Sequence, residues 1–246
     1  MENSGYKMEL TSVPQHIVPE QETTLTLTLQ KPSRLEVSHE QKIHLIIVSE
    51  DLSYFNHIHP VETEMGYTVK TAFPSSGKFY LFADYKPYGS SQVVNKLEVN
   101  VPGEGPSAQK YHKEELTGNS GAYAIALISD QGKFTNSHMM IDGILKKDGK
   151  EIDPATLDDF LGAKAHVVLI SVDDKEYIHA HPEVENGKYK LHASFSKPGI
   201  YRGWIQFQAE GTVHTTDYVI DVVQEHGHHG AGHHAAGHQE VSKPHH

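Results

Sequence analysis

Cysteine is absent from the chain, and with it go disulfides, thiolate zinc sites, iron–sulfur ligation and thiol nucleophiles. A Cys-free chain suits oxidising and reducing compartments alike. Long apolar runs are missing too: no stretch approaches the roughly 18–20 residues a membrane-crossing helix needs, so no membrane span is expected. Basic charge is scarce. The 21 Lys plus Arg stand against 32 Asp plus Glu for a formal charge of −11, with no compensating basic stripe, and nucleic acid would meet repulsion. There is no phosphate-cradling glycine loop, dinucleotide motif or nucleophile elbow, so the chain reads as a non-enzyme. The amino-terminal MENSGYKMEL has no charged segment followed by an apolar one, so either the protein is cytoplasmic or a leader was removed.

Histidine is abundant, at 20 of 246 residues. Its distribution is ordered. Residues 44–60, HLIIVSEDLSYFNHIHP, return as residues 166–182, HVVLISVDDKEYIHAHP, so that His44, His57 and His59 recur as His166, His179 and His181 at a constant displacement of 122 positions (166 − 44). Each copy offers an apolar strand with a histidine near its start, a polar turn, and a second strand ending in His-x-His-Pro. The register continues beyond the hairpin: Tyr67, Phe73, Gly77 and Val101 match Tyr189, Phe195, Gly199 and Val223, and Phe79, Phe82 and Tyr85 fall on Tyr201, Trp204 and Phe207. Large rings at recurring strand positions are read as packing residues.

Short segments of period-2 alternation, such as ETTLTLTLQ (22–30), separated by turn signals and without a helical period, predict antiparallel strands. About seven per copy predict an all-β protein, a tandem repeat of two immunoglobulin-like antiparallel β-sandwiches. The expected boundaries are 6–101 for the first repeat, 102–119 for a Pro/Gly/Ser-rich linker, 120–223 for the second repeat, and 224–246 for a disordered tail with eight histidines among Gly and Ala. Asp148-Gly149 signals a hairpin turn, and Asp153-Pro154 one capped helical turn.

Neutral imidazole suits copper and zinc without any thiolate partner. In a strand, residues i and i+2 share a side, which makes His57 with His59, and His179 with His181, ready pairs. His44 and His166 join them only if each hairpin register sets them opposite His59 and His181; a slip of one residue turns them away. Further candidates are His192, His214 and the His138-Met139-Met140 run, whose thioethers favour Cu(I). Glu62, Glu183 and Glu185 are read as solvated carboxylates rather than acceptors behind a ligand imidazole.

The hairpin, with its His-led apolar strand, acidic turn, aromatic residue and His-x-His-Pro, resembles bacterial extracytoplasmic immunoglobulin-like domains of the YtkA-like type, distantly similar to periplasmic copper-handling proteins. That resemblance implies a sandwich fold and a periplasmic or secreted location. It also implies a role in metal homeostasis or resistance, with copper first and zinc second, in one site per repeat held by His44, His57, His59, His166, His179 and His181. An amino-terminal chelating histidine typical of copper-resistance sandwiches has no counterpart in MENSG. The competing expectation is a non-catalytic adhesion or scaffold module of the envelope whose histidines are structural and whose envelope partner is unknown.

Overall fold

A computed structural model describes residues 6–129 and 134–224. The first repeat runs β1 (Met8–Val13), β2 (Glu22–Leu29), β3 (Leu35–Glu36), β4 (Ile43–Ser49), β5 (Phe55–Ile58), β6 (Val61–Thr63), β7 (Gly66–Ala72), β8 (Gly77–Pro87) and β9 (Val93–Val101). The second runs β10 (Thr117–Ser120), β11 (Tyr123–Ser129), β12 (Phe134–Thr135), β13 (His138–Lys147), β14 (Lys150–Glu151), β15 (His166–Ser171), β16 (Tyr177–Ala180), β17 (Glu183–Glu185), β18 (Lys188–Ser194), β19 (Gly199–Ala209) and β20 (Thr212–Val223). One 3-10 turn, Pro154–Thr156, interrupts the strands, with Asp153 accepting from the Ala155 amide at 2.9 Å. Among the described residues no helix is long and apolar enough to cross a membrane.

Each repeat is a sandwich of two antiparallel sheets. In the first, β1-β2-β7-β6 face a sheet in which β8 lies between β4 and β9, with β5 beyond β4. This is the strand arrangement of an immunoglobulin-like sandwich. The second repeat reproduces it, with β11-β13-β18-β17 against β20-β19-β15-β16. Alternation decides which residues go inside: Leu25 and Leu27 of β2 are buried beside Leu45, Ile47, Phe79 and Tyr85, and their counterparts Ile141, Val167, Leu169, Tyr201 and Phe207 build the second core.

The strands β4 and β15 behave differently, being buried along both faces. Leu45 and Ile47 point into their own sandwich, while Ile46 and Val48 join Val168 and Ile170 of the other repeat, together with Leu52, Phe82 and Trp204, in a third apolar cluster. The two repeats therefore dock through corresponding sheets. The docking is internally two-fold, as in a symmetric dimer interface. Phe55 stacks on Trp204 (centroids 4.6 Å) and its counterpart Tyr177 stacks on Phe82, the counterpart of Trp204 (4.8 Å). Double-sided burial explains why these strands read as near-continuous apolar runs.

Of the segment expected as a linker, residues 117–119 belong to β10, paired with β11. Its middle lies across the docked sheets: the Gln109 amide donates to Asp51 at 2.8 Å, and the Arg202 guanidinium sits 4.7 Å over the Tyr111 ring. Apart from Gln224, the expected disordered tail lies outside the described residues. Phe82→Ala and Trp204→Ala, occupying matching places at the interface, are each expected to cost about 3–5 kcal/mol in urea denaturation. Val213→Ala, at a 43% exposed position on β20, should change stability by no more than about 0.5 kcal/mol.

Candidate metal centre

The β4–β5 register pairs Leu45 with Ile58 and Ile46 with His57, which carried one step further sets His44 opposite His59. The β15–β16 register, pairing Val167 with Ala180 and Val168 with His179, does the same for His166 and His181. All three histidines of each hairpin thus share the outer face of their sheet, the face on which the repeats dock. The two trios, one from each repeat, meet across the interface. The His44 ring lies 5.8 Å from His166 and 5.4 Å from His179, and His57 lies 5.8 Å from His166 (centroids). Two sets, His44/His57/His59 and His44/His166/His179, each bring three ligand nitrogens within 4.8 Å of one another.

Hydrogen bonds behind the rings decide which nitrogens face inward. His44 Nε2 donates to the Ser38 carbonyl at 3.1 Å, and His166 Nε2 to the Phe160 carbonyl, the equivalent position, at 2.8 Å. Each therefore presents Nδ1 to the centre as a lone pair. His57 Nδ1 donates to Gln206 Oε1 at 2.8 Å, an amide oriented by its own Nε2 donating to Thr215 at 3.0 Å. In the reciprocal position His179 Nδ1 donates to the buried Asp84 carboxylate at 2.8 Å, and Asp84 also accepts from Gln92. Both imidazoles therefore turn Nε2 inward. In the first trio His57 Nε2 stands 3.1 Å from His44 Nδ1 and 3.1 Å from His59 Nε2. In the second, His166 Nδ1, His179 Nε2 and His181 Nε2 are buried without a hydrogen-bond partner. Buried polar atoms are normally satisfied, and backing of a ligand imidazole by a carbonyl or carboxylate is the arrangement found behind metal-bound histidine.

Burial keeps the His44, His57, His59, His166 and His181 rings neutral. Burial, the leading cause, holds His44 and His59 down to about 4, His166 to about 3 and His181 to about 2, with neighbouring imidazoles adding repulsion. His57 is driven well below the usual histidine value by burial and then by His59 and His44. A protonated ring here would sit in a poorly solvated place beside other rings. Neutral imidazole is also the metal-binding form.

The other sequence candidates lie elsewhere. Met139 is buried in the second core, its sulfur accepting from Thr135 at 3.1 Å. His138 stacks on His192 (5.6 Å) beside exposed Met140, on a different sheet. His214 stacks on Phe207 and contacts Ser120 at 3.2 Å. Glu62 pairs with Lys42, while Glu183 and Glu185 are exposed on β17. Residues the sequence reading passed over are Asp84, Gln206 and His39. His39 stacks at 3.6 Å on His181 and has the aliphatic Leu161 as its repeat counterpart. A polar residue at the same place in both aromatic strands, two positions after Phe82 and Trp204, was the available signal for the first two.

A family model described as "Domain of unknown function (DUF8832)" matches residues 1–103 and 119–224. The chain belongs to this family. The two matched stretches of the DUF8832 chain each contain one repeat and one histidine trio. No curated protein matches. Among solved structures, the three N-terminal domains of the bacteriophage RB49 Highly Immunogenic Outer Capsid protein (Hoc) are similar at 10% identity and a TM-score of 0.24, over 88% of this chain. The chain spans 58% of that Hoc chain.

Because the His44, His57, His59, His166 and His181 rings are held neutral in the fold and protonate near 6.5 when unfolded, the unfolded chain takes up protons first as pH falls. Their contribution to stability is therefore complete above about 6.5 and is lost as pH drops toward the folded values near 4 and below. The metal-free protein should lose several degrees of Tm between pH 7 and pH 4.5, at about 2–4 °C per kcal/mol. A His59→Gln/His181→Gln variant should show a shallower slope in the same thermal melts.

Proposed function

We propose that this protein binds a transition-metal ion at the histidine centre between its repeats, copper first and zinc second, and serves metal handling at the bacterial cell envelope without catalysis. The observation that carries the reading is the set of three buried, unpartnered ring nitrogens on His166, His179 and His181. Three imidazole nitrogens with no oxygen or sulfur ligand among them fit copper and zinc and disfavour magnesium or calcium, which prefer oxygen. An ion also suits the space better than an organic substrate. A groove of about 820 Å³ lies elsewhere, lined by Ser49, Pro74, Phe79 and Pro106 among others, and a cleft of about 480 Å³ reaches the centre only at His57. The histidine-rich segment after Gln224 supplies a weaker collector that raises the local metal concentration.

The test is copper(II) and zinc titration of the full chain with the eight histidines after residue 224 changed to Gln, beside the same chain carrying His57→Gln, His59→Gln, His179→Gln and His181→Gln. The first is expected to bind tightly and, at a hundredfold excess over Kd, to gain about 2.7 kcal/mol of stability, read as about 5–10 °C in Tm. The second should lose both effects, and binding by the first should hold from pH 7.5 to 5.5 and weaken only as pH falls toward 4, where His44 and His59 protonate. Equal binding by the two chains would overturn the reading and leave the histidines a structural part of the interface.

A further inference from the structure

We propose that the six histidines hold two metal ions side by side, one per trio, and that Asp84 makes the two sites unequal. The inference rests on the metal-binding reading and extends it to the number of ions and their order of filling.

Two observations favour a pair over one shared ion. First, each hairpin brings three histidines of its own: in the first trio the ligand nitrogens lie within 4.8 Å of one another, and in the second they are buried without hydrogen-bond partners. Three inward nitrogens come from one hairpin, and the first ring of each trio is locked by the carbonyl of the residue six positions earlier, Ser38 for His44 and Phe160 for His166. Second, the trios are related by the two-fold of the interface, since the acceptor behind His57 comes from Gln206 of the other repeat and the acceptor behind His179 from Asp84 of the first. Symmetry of this kind gives each repeat an equivalent set of histidines. An ion bound about 2 Å from each nitrogen of its trio lies only a few ångströms from its twin, because His44 nitrogen approaches those of His166 and His179 to within 4.8 Å. The spacing of two-metal sites, about 3.5–4 Å, is within that reach. Each ion then has open coordination facing the other, where one small oxygen donor such as hydroxide can bridge.

The asymmetry is in the backing groups. Asp84 is a buried carboxylate and Gln206, at the equivalent position, is a neutral amide. A carboxylate behind a ligand imidazole raises its donor strength, and such partners change metal affinity about 10–100-fold. The His166/His179/His181 site therefore fills first, and it favours the more highly charged ion. Asp84 acts through His179 as a positioning residue and does not touch the metal.

The experiment titrates copper(II) into the full chain with the eight histidines after residue 224 changed to Gln, following stoichiometry by calorimetry and the electron paramagnetic resonance signal at each addition. The expected result is two steps with affinities about 10–100-fold apart. The signal of an isolated copper(II) appears over the first equivalent, then broadens or loses intensity with a half-field line as the second enters. Asp84→Asn, which keeps the shape, should bring the two affinities together while leaving the total at two. His57→Gln/His59→Gln should leave one equivalent with an isolated signal. One equivalent in the parent, without magnetic interaction, would overturn the two-ion centre while leaving metal binding intact and pointing to the mixed His44/His166/His179 set. Binding of no copper beyond that of the chain lacking His57, His59, His179 and His181 would overturn both. Two affinities unmoved by Asp84→Asn would remove Asp84 from its role.

Discussion

The face-to-face packing of the two repeats governs everything else in this molecule. Ile46, Val48 and Phe82 on one side meet Val168, Ile170 and Trp204 on the other, and the apolar area these residues remove from water is the driving force for docking. The same strands that supply that face carry a histidine two residues before the first of these apolar positions. Alternation puts His44 in line with Ile46 and Val48, and His166 in line with Val168 and Ile170. Docking the apolar patch therefore brings the two histidine trios together at its end.

Once there, the imidazoles are confined by physics rather than by loops. Burial disfavours protonation of His44, His57, His59, His166 and His181, backing carbonyls, an amide and a carboxylate orient His44, His166, His57 and His179, and the other ring nitrogens turn toward the centre. A neutral donor set with lone pairs 3.1 Å apart lacks a counterpart of positive charge, which is what a cation provides. The exchange of backing groups across the interface, Gln206 for His57 and Asp84 for His179, ties the integrity of each trio to the other repeat. Separating the repeats disarms both trios at once.

Much of this was legible in the sequence. The displacement of 122 positions marked the repeat, alternation in 22–30 placed β2, and Asp148-Gly149 and Asp153-Pro154 marked the turns they form. The six histidines were visible as a set because a two-residue spacing in a strand has a fixed geometrical meaning. What stayed hidden is what no local pattern encodes. The hairpin registers were open between two choices. The continuous apolar runs of β4 and β15 did not say whether their second face met the same core or another repeat. Asp84 and Gln206 serve histidines 95 and 149 positions away in the chain, respectively. His39 falls on the aliphatic Leu161 in the second copy, so no repeated histidine draws attention to it, and its place over His181 depends on the docked pair.

The most direct test of the account is a crystal structure of the copper-loaded protein with anomalous diffraction measured on both sides of the copper absorption edge. The account predicts anomalous density between the repeats, about 2 Å from His44 Nδ1, His57 Nε2 and His59 Nε2 and from the matching nitrogens of His166, His179 and His181. Copper found only at surface histidines such as His138 and His192, or beyond Gln224, with the interface rings unchanged, would contradict it.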